Sequence, residues 1–361
     1  MKAADVRRAA FGKLPDGRVV EAVTLTNGNG VEVRIITFGA AIQSVIVPDR
    51  DGGKADVALG YPTLDGYLAG SEYFGATVGR VANRIAQGRF TLDGKPFLLP
   101  VNNGPNSLHG GTTGFDKALW TIISVTRGAR QSVTLRHVSP DGDQGYPGTL
   151  TVTATYSLDE NNVLAVDYGA TTDRTTIVNL SNHAYWNLAG EGSADGAMGH
   201  LLTIPADHYL PTDATAIPTG EFRLVGGTAF DFRKPIAVGA RVRDASDEQI
   251  RFGRGYDHNW VVDRHIAAAP RLLARVEEPK SGRVLEVLST QPGLQFYSGN
   301  FLDGTIVGKG GKLYRQGDAI ALEPQMFPDT PNRPEFGSVR LEPGQTYRNL
   351  ILFRFSAIGV P

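Results

Sequence analysis

Thr149-Leu-Thr-Val-Thr-Ala-Thr-Tyr-Ser-Leu158 and Val163-Leu-Ala-Val-Asp-Tyr-Gly-Ala-Thr-Thr172 are rich in β-branched and aromatic residues, and Asp159-Glu160-Asn161-Asn162 joins them. Such residues fit a pleated surface, and a short polar turn between two of these runs reads as an antiparallel hairpin. The same pattern recurs along the chain. Val19–Thr26, Val31–Thr37 and Ala41–Val47 read as three strands closed by Asp49-Arg50-Asp51-Gly52-Gly53. Asp93-Gly94 between Arg89–Leu92 and Phe97–Leu99 is a two-residue hairpin signal. Thr121–Thr126 and Ser132–Val138 pair across Arg127–Arg130, and Leu272–Glu277 and Val284–Ser289 across Pro279–Gly282. Leu294–Ser298, Ala319–Leu322 and Thr346–Phe355 complete the set. Helical periodicity is confined to a turn or two in Thr63–Ala69 and Ala237–Asp244. The fold class expected is therefore all-β: a large antiparallel β-sandwich with long loops and few short helices.

Composition agrees. Glycine (44) and proline (21) are frequent in the 361 residues, well above their usual joint share of roughly 12%. No linker-like segment, low-complexity tract or short repeat divides the chain, so residues 1–361 are expected to form a single domain. A net charge of −1 without a run of Lys and Arg argues against a nucleic-acid or anionic-membrane partner. The absence of cysteine removes disulfides, thiolate metal sites and cysteine nucleophiles. No stretch approaches the roughly 20 apolar residues that span a bilayer. The N-terminus carries no apolar signal segment, so a cytoplasmic location is the default; a periplasmic one stays open if a leader was trimmed.

Chemistry concentrates in a few stretches. In Ile177-Val-Asn-Leu-Ser-Asn-His-Ala-Tyr-Trp-Asn-Leu188, read as a strand, Asn179, Ser181, His183, Tyr185 and Asn187 fall on one face. That face suits the wall of a polar small-molecule pocket, or equally a buried network around a structural histidine. Arg80 and Arg84 flank Asn83 in Gly79–Ile85; each suits oxygen recognition or a plain salt bridge. Asn102–Gly111 is a Gly- and amide-rich loop carrying His109, where a binder is more expected than a core histidine. In Gly255–Trp260, Asp257 and Asn259 share a face, while Tyr256 and Trp260 either stack on a sugar or plug the core. Gln291–Asn300 alternates amides and aromatics. Glu323 ends the apolar run Ala319–Leu322, and Pro324 restricts it to extended backbone. A carboxylate closing a buried strand needs a partner or a task. His109, His183, Asp257 and Glu323 lack the short spacings of a metal site, and no nucleophile elbow is present.

Together these stretches resemble the aldose 1-epimerase (galactose mutarotase) family. The resemblance rests on Gly79-Arg-Val-Ala-Asn-Arg84, Asn106-Ser-Leu-His-Gly-Gly111, Gly114-Phe-Asp-Lys117, Asn182-His-Ala-Tyr-Trp-Asn187, Tyr256-Asp-His-Asn259, Gln291-Pro-Gly-Leu-Gln-Phe-Tyr297 and Leu322-Glu-Pro-Gln325, in the family's order from about Val19 to Phe355. It implies a galactose mutarotase-like supersandwich with the sugar in an open cleft, no metal and no cofactor. It also implies Glu323 as general base and His183 as general acid, with His109 holding the reacting region. Asn83, Arg84, Asp257 and Gln295 are implied as hydroxyl binders, and Tyr185 is added from the polar face. The expected partner is a monosaccharide, with no nucleic acid or membrane, and the chain is expected to be a monomer or weak homodimer. The chemistry would require Glu323 ionised and His183 protonated, each favouring the other's charge. A hexose-6-phosphate 1-epimerase of related fold, a non-catalytic sugar-binding protein and a glycoside hydrolase using Asp257 with Glu323 are the competing readings.

Overall fold

The β-branched runs form strands in the computed structural model, which describes residues 5–359; the ends of the expected 1–361 domain lie outside them. Val19–Thr26, Thr121–Thr126 and Val163–Thr172 have the bounds expected, and most other strands agree within one or two residues. Two short α-helices, Leu64–Ala69 and Glu248–Gly253, are present. The first matches expectation. Of Ala237–Asp244 only the single 3-10 turn Val238–Ala240 forms, and the second helix went unforeseen.

Three antiparallel sheets carry the architecture. A nine-stranded sheet is centred on Leu150–Asp159, Val163–Thr172, Tyr347–Ala357 and Arg283–Ser289. The first two of these strands pair in full register, Leu150 against Thr172 through Leu158 against Leu164. A six-stranded sheet runs through Tyr185–Trp186, Ile320–Gln325, Gly293–Tyr297, Asp257–Val261, His208–Leu210 and Arg223–Leu224. These two sheets enclose one core that takes Trp186, Trp260, Phe296 and Leu322 from the smaller and Leu285, Val287, Ile351 and Phe353 from the larger. The N-terminal residues make a five-stranded sheet, whose Val33 and Val45 join the same core beside Val133 and Tyr156. Its outermost strand, Asp5–Lys13, was not foreseen: of its side chains only Val6 is fully buried, so it carries no alternation to read.

The stretch Ile177–Leu188 is not one strand. It breaks into Thr176–Ile177, Ser181–Asn182 and Tyr185–Trp186, which pair with Arg340–Leu341, Thr77–Val78 and Ile320–Gln325 respectively. The segment thus crosses the molecule through three separate partners and is buried throughout. Its amides supply the fastening. Asn179 Nδ2 donates to the Met326 carbonyl at 3.2 Å while its Oδ1 accepts from Met326 N at 3.0 Å. Asn182 Nδ2 donates to Gly75 O, Ser181 Oγ to Pro324 O and Asn187 Nδ2 to Asp318 O, at 2.8–2.9 Å.

Candidate active site

Alternation along the six-stranded sheet sends Tyr297, Gln295, Asp257, Asn259 and Glu323 to one face. In register, Asn259 stands beside Gln295 and Gln295 beside Glu323, so one row of polar groups crosses three strands. Loops from the other sheets close over this face. The result is a cleft of about 300 Å³, at the small end of ligand pockets, which run from roughly 300 to 1,000 Å³. Asn83, Arg84, His109, His183, Tyr185, Asp257 and Glu323 all line it. Gln295 does not: it is buried behind Asp257, with Nε2 donating to Asp257 Oδ1 at 2.8 Å.

His183 Nε2 lies 3.5 Å from Glu323 Oε1, with side chains 6% and 2% exposed. The two groups sit side by side on the cleft floor, well within the span of one sugar ring. Burial dominates their electrostatics. It pulls the His183 imidazole down to about 4. It pushes the Glu323 carboxyl well above its ordinary value, assisted by the charge of Asp257 and opposed by Arg84. Burial thus opposes the charged form of each group, so the mutual charging expected from sequence meets a desolvation cost at both.

Backbone geometry fixes the neighbours. Asn83 and His109 both occupy the left-handed region, at φ 62° and 51°. Asn83 N donates to His109 Nδ1 at 3.1 Å, and His109 N returns a bond to Asn83 O at 3.0 Å. With Nδ1 accepting, neutral His109 carries its proton on Nε2 and is a hydrogen-bond donor. Donor atoms of His109, His183 and Glu323 lie within 4.8 Å of one another. That tautomer nonetheless makes His109 a poor metal ligand, because its one free lone pair is already used. Arg84 Nε donates to Asn103 Oδ1 at 3.0 Å, and its Nη2 reaches Asp257 Oδ2 at 3.5 Å.

Burial decides two readings that the sequence left open. Arg80 turns away from the cleft into the core, where Nη1 donates to the carbonyls of Pro147 and Gly148, each at 2.9 Å. Burial pulls it down to about 10. Tyr256 and Trp260, read as either sugar-stacking rings or core plugs, take the core role: they are fully buried on the opposite face and donate to Ala229 O and Phe230 O. Along Gly255–Trp260 alternate residues serve opposite sides, whereas in Gly79–Ile85, strand only at Arg84–Ile85, Arg80 turns inward and the adjacent Asn83 and Arg84 both line the cleft. Ser71, Glu72, Tyr73, Phe301 and Leu302 also line the cleft and were missed; their loops carry no period, and only the flanking Gly70 and Gly75 mark the first of them.

With this geometry in place, comparison with known proteins is direct. A profile described as aldose 1-epimerase matches residues 21–354. The chain belongs to the aldose 1-epimerase family. The galactose mutarotase of Rattus norvegicus is 48% identical over 351 residues, spanning 97% of this chain and 98% of that one. The solved galactose 1-epimerase from Lactobacillus acidophilus NCFM is similar at a TM-score of 0.86 and 29% identity, over 98% of this chain and 99% of that one. The aldose epimerase homologue from C. elegans gives 0.83 at 32% identity, over 99% and 100%. An aldose 1-epimerase family member is an isomerase acting on a small carbohydrate, and the strand-rich sandwich is the fold it shares with these neighbours. Among the described residues no helix is long and apolar enough to cross a membrane.

Proposed function

We propose that this chain is a mutarotase that interconverts the α and β anomers of aldohexoses such as glucose and galactose, working as a single domain in the cytoplasm without metal or cofactor. The observation that carries this reading is the His183–Glu323 pair, 3.5 Å apart on the floor of a cleft sized for one sugar ring. Glu323 takes the proton of the anomeric hydroxyl while His183 delivers a proton to the ring oxygen. The bond from C1 to the ring oxygen breaks, the aldehyde turns about C1–C2, and closure on its other face returns both protons. His109 Nε2–H donates to the reacting end, and Asn83, Arg84 and Asp257 hold the hydroxyls, with Gln295 steadying Asp257.

The proton count explains why burial helps. Ring opening converts carboxylate and imidazolium into carboxylic acid and neutral imidazole. That neutral pair is the one a dry site favours, so the electrostatics lean toward the open-chain intermediate. The pair works only while it holds one proton in total. Below about pH 4, His183 is protonated beside a carboxylic acid and no base remains. Above the raised value of Glu323 no acid remains. Turnover is therefore expected to fall on the acid side near about 4 and on the alkaline side above the raised value of Glu323.

The phosphosugar alternative loses ground. Among the described residues lining the cleft, Arg84 is the one arginine or lysine, and it already faces Asp257. The test is polarimetry of pure α-anomers of a panel of aldoses with glucose 6-phosphate included. Acceleration over buffer for the free sugars supports the reading. No acceleration leaves a sugar-binding protein, and a preference for the phosphate restores the alternative.

A further inference from the structure

We propose that Tyr73 is a further working part of this site: a substrate-contacting wall that keeps water off the His183–Glu323 pair. The inference rests on the epimerase reading above.

Three non-glycine residues at the cleft are left-handed: Asn83, His109 and Tyr73, the last at φ 60°. Asparagine and histidine visit that region comparatively often, whereas a bulky ring there is an outlier held by its surroundings. The surroundings here are His183 itself. Tyr73 O accepts from Ala76 N at 3.0 Å, closing a turn. Gly75 N then donates to His183 O at 3.0 Å, and His183 N donates to Ala76 O at 2.9 Å. Asn182, the residue before His183, fastens Gly75 O as well. On the other side of Tyr73, the Glu72 carboxylate accepts from the Tyr61 hydroxyl and from Ser71 N. The turn is thus stitched to the backbone of the proposed acid and cannot shift independently of it.

The strained conformation has a clear product. It lays the Tyr73 ring edge-on to His109, with centroids 4.7 Å apart, and 5.7 Å from the His183 ring. The ring lines the cleft and is only partly buried, and its hydroxyl has no partner among the described residues. It is placed to touch a sugar and to close the side of the site that faces solvent.

Its effect on the pair follows from charge. With one proton the pair is neutral; gaining or losing a proton leaves a net charge in a dry site, which burial opposes in both directions. A wall that excludes water therefore widens the working pH range at both ends. The charged and titratable groups facing His183, besides Tyr73, are Glu323, His109, Asp257, Arg84 and Tyr185, whose ring centroid lies 5.0 Å from that of His183, with Glu72 beside Tyr73 on the same turn. Replacing Tyr73 leaves all of them in place, so a change in pH range reports on water entry.

Tyr73→Gly is the informative variant, because glycine takes positive φ without steric cost and preserves the turn. With wild type active on α-glucose, it is expected to lower kcat at least about tenfold and to move both limbs of the pH–rate profile inward, with Tm close to wild type. Tyr73→Phe is expected to keep the wild-type pH limits, any loss appearing in KM. Should Tyr73→Gly fail to fold, Tyr73→Asn, which also tolerates the left-handed region, carries the same expectation. A folded variant with wild-type kcat and unmoved pH limits overturns the role of Tyr73. An inactive wild type instead overturns the epimerase reading and leaves the wall's shielding to be read by NMR titration of His183 in both proteins: an unchanged midpoint in Tyr73→Gly overturns it.

Discussion

The two faces of the six-stranded sheet are built from alternate residues of the same strands, and both are buried. One face presents Trp186, Tyr256, Trp260, Leu294, Phe296 and Leu322 to the common core. The other presents Tyr185, Asp257, Asn259, Gln295, Tyr297 and Glu323, nearly all of them as inaccessible as the core residues. Burial alone therefore does not separate packing from chemistry here. What separates them is where unpaired acceptors lie. On the core face Tyr256 and Trp260 each donate to a carbonyl and the unpaired group is a donor, Trp186 Nε1, whereas on the cleft face the acceptors Glu323 Oε2 and Asn259 Oδ1 have no partner and Glu323 Oε1 meets only the imidazole of His183. Unpaired acceptors in a dry site cost about 1–3 kcal/mol each, and such a cost is tolerated where a ligand makes use of them.

The comparison breaks most decisively at the two reacting groups. Glu323→Gln and His183→Asn are each expected to lower kcat by at least about 10²-fold, the usual worth of a positioned acid or base. Tm should stay near wild type, since each replacement keeps shape and removes a costly buried ionisable group. Turnover like wild type in either variant removes that residue from the mechanism. The mirror experiment is Trp260→Ala on the core face, expected to cost about 3–5 kcal/mol of stability with kcat per folded molecule retained. Denaturant unfolding alongside the anomerisation assay reads both. If Trp260→Ala were to abolish turnover in folded protein, the faces would not be functionally distinct.

Arg80 and Arg84 repeat the contrast within one motif, four residues apart. Arg84→Met should raise KM by roughly 10- to 100-fold, corresponding to about 1.5–3 kcal/mol for a charged hydrogen-bond donor, with little change in Tm. Arg80→Met should do the reverse: it strands the carbonyls of Pro147 and Gly148 and lowers Tm while the folded fraction keeps its KM. A raised KM in Arg80→Met, with Tm unchanged, would mean the guanidinium reaches substrate.

What could be read in advance divides along physical lines. The hairpin Leu150–Thr172 was legible because its residues and its turn are local properties, and local properties decide whether a strand forms. The breaking of Ile177–Leu188 into three pairings was not, because each partner lies far away in the chain. Asn83, Arg84, His109, His183, Asp257 and Glu323 were legible as residue types in a recurring order, which marks a site without giving its geometry. The desolvation that opposes charge on His183 and Glu323 was not legible, because it depends on the whole enclosure rather than on sequence neighbours. Tyr73 was invisible for a related reason: its place is set by a backbone conformation, and nothing in Gly70-Ser-Glu-Tyr-Phe-Gly75 announces that the ring turns toward two histidines.

Gln295 gives the finest test of the two-face comparison, since it belongs to the cleft face yet does not line the cleft. Its amide accepts from Asn259 Nδ2 at 3.4 Å and donates to Asp257 Oδ1, while Arg84 approaches the other oxygen of the same carboxylate. The chain of bonds runs in one direction, toward a carboxylate that can only accept while ionised. Removing one of its donors loosens the aim of Asp257 without discharging it. Gln295→Met is therefore expected to raise KM by about three- to tenfold, the equivalent of about 0.5–1.5 kcal/mol for one hydrogen bond, with kcat nearly unchanged. Should kcat fall about as far as in Glu323→Gln while KM holds, Gln295 acts at the reacting atoms rather than behind a hydroxyl-binding carboxylate.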